Sequence, residues 1–240
     1  MFLRLVIPAF AFWLTLFLPV SEKGQSLSSY ADNLKKAFSE ADDAFYQQLG
    51  EPSIPETVFK SSLDVYRKLK KEKQIVNHRV ITLIDFTKPS HEKRLFVIDL
   101  EAKKILFKSL VAHGRNSGEH YATSFSNMPQ SHQSSLGFYL TGEPYTGRHG
   151  YSLCLDGLEK GINDNARKRA VVVHGASYVS YAFIDAYGRL GRSFGCPALP
   201  EETASAIIDV IQNRSLLFIY SDDTHYMRDS RLFNSFLSFP

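Results

Sequence analysis

The chain has 240 residues, 44% of them hydrophobic and 22% charged, with a net charge of +3. This composition supports a globular core and excludes a solvated disordered chain; 14 Gly and 10 Pro exclude a collagen-like repeat. A near-neutral balance without a long basic run does not suggest a nucleic-acid binder, and two cysteines, Cys154 and Cys196, exclude a disulfide-stapled scaffold and an all-cysteine zinc site.

In chain order, Met1–Arg4 brings one positive charge, and Leu5–Val20 then carries no charged residue and is broken by Pro8 and Pro19. It falls short of the roughly 20 residues of a membrane span and fits the apolar region of a secretory signal. Residues 1–26 are expected as a signal peptide or, if uncleaved, an N-terminal membrane anchor. Both outcomes place the remaining chain outside the cytoplasmic membrane, in the periplasm or cell envelope.

Residues 27–77 are expected to be helical. Leu27, Tyr30, Leu34, Ala37, Phe38, Ala41, Phe45 and Leu49 recur at three- and four-residue steps. Pro52 and Pro55 interrupt that pattern. A second helix restarts at Ile54–Val58, with Phe59, Leu63, Tyr66 and Leu69 on one stripe and a Lys-rich, solvated end.

From residue 78 the period becomes that of strands. Arg79–Phe86, Arg94–Leu100 and Ile105–Ala112 are short, β-branched and turn-bounded. A Gly/Ser/Asn/Pro-rich stretch, Gly114–Ser135, is too long for a simple hairpin, and such connections are usually functional or mobile. Leu136–Thr141, Ser152–Leu155 and Ala170–His174 read as further strands, Thr203–Gln212 as a helix, and Leu216–Tyr220 as a closing strand. The fold class expected over 78–222 is mainly β (a β-rich α+β domain), prefaced by the N-terminal helices and followed by a C-terminal tail, 223–240.

Two positions carry the chemistry. Val171-Val-Val-His174-Gly175 sets a histidine at the end of an apolar strand. Twenty-two residues after that histidine, Cys196 ends the run Ser193-Phe194-Gly195-Cys196 within a Gly-bounded loop. A thiol attacks as thiolate, so it needs a neighbouring base or cation, and backbone N–H groups of a glycine loop suit a developing oxyanion.

The stretches FVIDL, LVAHGRNSG, FSN, SSLGFYLTGEPYTGRHGYSL, LDGLEKGINDNARKRAVVVHGA and GRLGRSFGCPALP resemble the L,D-transpeptidase (YkuD-type) catalytic domain, more narrowly the murein L,D-transpeptidase subfamily. That family's pattern is a strand-end His-Gly followed by Ser/Thr-x-Gly-Cys, and the resemblance covers about residues 78–222. It implies a β-sandwich or open barrel with the cysteine at the edge of a cleft. It also implies attack by Cys196 on peptidoglycan stem tetrapeptides through a thioester, with His174 as base, Ser193, Phe194 and Gly195 as oxyanion or loop residues, and no cofactor. The acceptor is a stem amine or another amine; with water the same site is an L,D-carboxypeptidase or endopeptidase.

Two departures from the best-known branch stand out. Phe194 replaces a histidine, and Ala198 replaces an arginine two residues after the cysteine. Arg192 and Arg189 are candidates for the missing positive charge.

His113, ending a strand before the long loop, and His149, in a turn-rich segment, are candidates for the substrate cleft with Arg192 and Gly175. Cys154, on the face of its strand opposite Leu153 and Leu155, is expected as a passive residue, with a Cys154–Cys196 bridge as the alternative. Histidines 113, 120, 132, 149 and 174 leave a zinc peptidase as a second class, without an HExxH motif. A non-catalytic wall-binding module is a third.

Overall fold

A computed structural model describes residues 27–237. The expected signal or anchor, 1–26, lies outside the described residues. The chain divides into two compact units, 1–41 and 42–240. In the first, residues 27–41 belong to helix α1 (Leu27–Leu49), with Lys36 and Glu40 4.0 Å apart on its exposed surface. No helix among the described residues is long and apolar enough to cross a membrane.

In the second unit, the end of α1 contributes Phe45 to the core, edge-on to Phe59 of α2 (Glu56–Lys71). Helix α2 buries Val58, Phe59, Leu63, Val65, Tyr66 and Leu69, the helical stripe, and ends in Lys68, Lys70 and Lys71. Cations there complement the negative end of the helix dipole.

The strands are β1 (Val80–Asp85), β2 (Leu95–Asp99), β3 (Lys104–Ser109), β4 (Gly137–Gly147), β5 (Gly150–Gly157), β6 (Val172–Gly175), β7 (Ala198–Leu199) and β8 (Leu216–Tyr220). They form one sheet in the order β3-β2-β1-β8-β4-β5-β6-β7. The expected closing strand, β8, therefore sits near the centre. Its run LLFIY is buried along its whole length, as both-face-covered strands require. Pairing is mixed: β1 with β8 and β6 with β7 run parallel, the other pairs antiparallel.

The two sheet edges meet. Beyond β3 the chain bridges to β7 at Ala112–Ala198, with Ala112 N–H donating to Ala198 O at 2.8 Å, and Gly114 bridges to Ser193. This seam brings the two ends of the sheet together into a nearly closed, barrel-like arrangement, in line with the expected open barrel.

Helix α4 (Glu201–Ile211) packs Ala204, Ile207, Ile208 and Ile211 into the main core. A small second cluster of Leu110, Ala112, Ala176, Val179, Leu190 and Ala198 lies under the seam. The short helix α3 (Tyr181–Tyr187), absent from the sequence reading, is capped by Ser180, whose hydroxyl accepts from Phe183 N–H, and ends at Gly188 with φ of 71°.

Residues expected as a tail form α5 (Thr224–Asp229) and α6 (Arg231–Leu237). Asp223 caps α5, and Tyr226 and Phe233 pack on Phe218 of β8. Buried Glu159 ties this end down, accepting from Phe138 N–H, Tyr226 Oη and Ser230 Oγ. Two buried aromatics and a shared carboxylate explain why the segment is ordered without a long apolar period.

Candidate active site

The seam places Cys196. It lies two residues before Ala198, which pairs with His174 on one flank and Ala112 on the other. Residue 196 as a whole is half-buried, yet its sulfur turns inward: Val172 N–H donates to Sγ at 3.4 Å, and Sγ lies 3.6 Å from Ala170 O. The thiol thus meets β6 two residues before His174. No hydrogen bond joins Cys196 to His174 among the described residues.

His174 is buried, with its Nδ1 2.8 Å from Gly175 O. A carbonyl only accepts, so Nδ1 carries the hydrogen and Nε2 is left as the basic nitrogen. Burial holds His174 below the usual histidine range; the Gly175 carbonyl opposes it, and His149 adds a smaller push in the same direction as burial. Burial pushes the Cys196 thiol up, opposed by the Val172 N–H and by the positive charge of Arg169. Both directions favour the uncharged forms, thiol and neutral imidazole, over a preformed ion pair.

The loop before Cys196 is fixed by its own hydrogen bonds. Ser193 N–H donates to His113 O, and Ser193 O accepts from Arg115 N–H. Ser193 Oγ donates to Cys196 O at 2.7 Å and accepts from Gly195 N–H at 3.0 Å. Ser193 is thus a loop brace, and the Gly195 amide is already engaged. Gly195 sits at φ of 121°, where a side chain would be strained and its Cβ would lie 2.7 Å from Gln133 O. Phe194 is 64% exposed, with the His132 ring 4.6 Å away and the Arg115 guanidinium 4.9 Å from its centre.

The expected cleft residues divide. His149, at the exposed turn between β4 and β5, stacks on His174 with ring centres 4.6 Å apart. Gly175 packs closely against α4: a Cβ there would lie 3.1 Å from Ala204 Cβ.

Arg192 points away from the thiol, donating to Arg115 O, Gly118 O and Glu119, and Arg189 also pairs with Glu119. His113 is buried, not cleft-lining. Its Nδ1 lies 2.9 Å from Arg94 Nη2, and its Nε2 lies 3.2 Å from Gly118 O. Burial, then the Arg94 charge, pull it down to about 3.

The cation that does act on Cys196 is Arg169, which the sequence reading missed inside ARKRA. Its guanidinium donates to Ser126 O, Ser135 Oγ, Ser131 Oγ and Gln133 O, strapping the 114–135 connection beside Gly195. Its neighbours in that run, Arg167 and Lys168, behave differently: Arg167 binds Glu143 and Asp156, and Lys168 is exposed.

Cys154 and Cys196 are both free thiols. Cys154 on β5 pairs in register with Val172 on β6, and Cys196 contacts the other side of Val172. Two strand spacings, about 10 Å, exceed the roughly 7 Å limit between Cα atoms of a disulfide. Among the described residues, no three His, Cys, Asp or Glu side chains assemble as metal ligands.

Residues 50–220 match the family model of the L,D-transpeptidase catalytic domain (YkuD type). The chain belongs to that family. A comparison with curated proteins finds no match. Solved L,D-transpeptidases are among the similar structures. One from Mycobacterium smegmatis is 13% identical, with a TM-score of 0.37, covering 60% of this chain and 59% of that one. L,D-transpeptidase 3 from Mycobacterium tuberculosis, in complex with a faropenem-derived adduct, is 13% identical, with a TM-score of 0.37, covering 60% of each chain. One from Stackebrandtia nassauensis is 14% identical, with a TM-score of 0.35, covering 77% of this chain and 78% of that one. This chain thus spans less than two thirds of the length of the first two.

Proposed function

We propose that this protein is a cysteine-dependent peptidoglycan L,D-transpeptidase of the cell envelope. One observation carries the reading: the Cys196 thiol lies against the strand that ends in His174, whose Nδ1 is engaged by Gly175 O so that Nε2 is the nitrogen able to take a proton.

In the first half-reaction, Sγ turns from the Val172 amide toward the acyl carbon of the third residue of a stem tetrapeptide. The thiol proton passes to His174 Nε2 as the carbon–sulfur bond forms. The bond to the terminal D-alanine then breaks, and the imidazolium returns its proton to the leaving amine.

The thioester is next attacked by the side-chain amine of a second stem. A carbon–nitrogen bond forms, the carbon–sulfur bond breaks, and the thiol regains its proton by way of His174. Because Gly195 N–H is bound by Ser193, the amides of Phe194 and Cys196 are the donors for the oxyanion, each worth roughly 3 kcal/mol in such sites.

The test incubates the protein with disaccharide-tetrapeptide muropeptides and reads products by mass. Cross-linked dimers with release of D-alanine, abolished in Cys196→Ala, are the expected result. Release of D-alanine without dimers assigns water as acceptor. Undiminished turnover by Cys196→Ala overturns the reading.

A further inference from the structure

The stack of His149 on His174 has no part in the proton transfers just described. His149 stands on the exposed β4–β5 turn beside exposed Arg148, whereas His174 is buried at the end of β6. With ring centres 4.6 Å apart and planes inclined by 28°, the rings face each other rather than sharing a hydrogen bond. Such a pair can interact by contact and charge, not by handing a proton directly across.

The other groups around His174 are few. Its register partner on β5 is Ser152, whose hydroxyl bonds Gly150 O, and its partner on β7 is Ala198. Helix α4 packs on the opposite face of β6, where Glu201 and Ala204 abut Gly175. The Cys196 thiol lies toward Val172, with the phenol of Tyr178 and the guanidinium of Arg169 on that thiol's side. No carboxylate pairs with His174 among the described residues. Arg148 and the ionisable ring of His149 stand on the exposed turn at the outer end.

We propose that His149 is a positioning residue: its ionisable ring, stacked on His174 at the exposed end of the seam, makes a second positive charge on the inner imidazole unfavourable and so keeps His174 in its proton-accepting form. The outer ring is exposed, where a positive charge is solvated, while the inner ring is buried and would have to charge inside the seam. Two imidazoles this close load protons one at a time. At 4.6 Å between partly hydrated groups, one positive charge opposes another by roughly one pH unit. The device replaces a carboxylate partner, which would have the opposite effect and hold His174 protonated. The proposal rests on reading His174 as the base, but its test needs no substrate.

Ring-proton NMR titrations of the histidines, with His174→Gln to assign the inner ring, measure the effect on the intact protein. In His149→Phe, which keeps a ring and removes the charge, the His174 midpoint should rise by roughly one pH unit. In His149→Lys, which keeps the charge and removes the ring, it should stay at or below the wild-type value.

A midpoint unmoved in His149→Phe, or moved upward equally by both substitutions, overturns the proposal, since a purely structural stack treats both losses alike. Where muropeptide turnover is observed, the acid limb of its pH profile should follow the same order. An NMR shift without any turnover sinks the transpeptidase reading and leaves this one standing.

Discussion

The same dipeptide, His-Gly, stands on opposite flanks of one loop, once at the end of β6 and once just beyond β3. His113-Gly114 and His174-Gly175 both follow apolar runs, and both histidines are buried. Ala198 of β7 bridges to Ala112 on one side and pairs with His174 on the other, so the loop carrying Cys196 is held between them. Their ring nitrogens separate them. Arg94 donates to Nδ1 of His113, which forces the hydrogen to Nε2 and onto Gly118 O; both nitrogens are occupied. His174 spends only Nδ1, on Gly175 O. Burial weakens both as bases, and the partner decides which ring becomes a brace and which becomes a proton acceptor.

The largest expected effect breaks that symmetry directly. His174→Gln should lower turnover of tetrapeptide stems by roughly 10²–10⁴-fold, the usual contribution of a general base. His113→Gln places an amide oxygen toward Arg94 and an amide N–H toward Gly118 O, so it should cost less than about tenfold. The ratio of kcat/KM between the two variants measures the comparison. Equal losses would mean that His113 also handles protons.

The sequence distinguishes these histidines only in part. A strand-end His-Gly followed by Ser-x-Gly-Cys singles out His174 and Cys196, because the motif fixes both on short, local backbone features. Arg94 opens RLFVIDL, where a cation reads as a solvated strand end, yet it is fully buried under partners from Lys88, Val111 and His113. Arg169 reads as part of a charge run, although it alone of the three cations in that run turns inward. Each role depends on contacts tens of residues away, which local period does not encode. The near-closure of the barrel is of the same kind: the β-branched runs locate the strands, but the Ala112–Ala198 and Gly114–Ser193 bridges bring the sheet's ends together. Tyr226 and Phe233 likewise order residues 223–237 through a distant partner, Phe218.

Arg94 gives the second effect, on stability. Its guanidinium donates to Val111 O, Lys88 O and His113 Nδ1 and lies 4.7 Å from the centre of the Phe86 ring. Burial pulls it down to about 9, so it is still charged at neutral pH. Arg94→Met keeps much of the apolar stem but leaves those acceptors buried without a donor. A loss on the order of 3 kcal/mol is expected, read as a lower urea midpoint with an unchanged slope. Because His113 also supports Ser193 through its backbone, the same variant should loosen the loop before Cys196.

The smallest effect concerns the thiol between the two flanks. With Cys196 pushed up by burial and His174 held low, the uncharged resting pair is favoured, and the proton moves during attack rather than before it. Alkylation by iodoacetamide follows the thiolate fraction. In a Cys154→Ala background its rate should therefore still be rising above pH 8.5, about where a free cysteine reaches half its maximum. Removing the nearby cation in Arg169→Gln should move the midpoint higher again, by up to roughly one unit. The sign follows from charge: Arg169 favours thiolate, so its loss favours thiol. A rate already at its plateau near pH 6 would mean a thiolate–imidazolium pair at rest. His174 would then hold its proton before substrate arrives, and the distinction between the two histidines would lie in when each is charged rather than in which nitrogen is open.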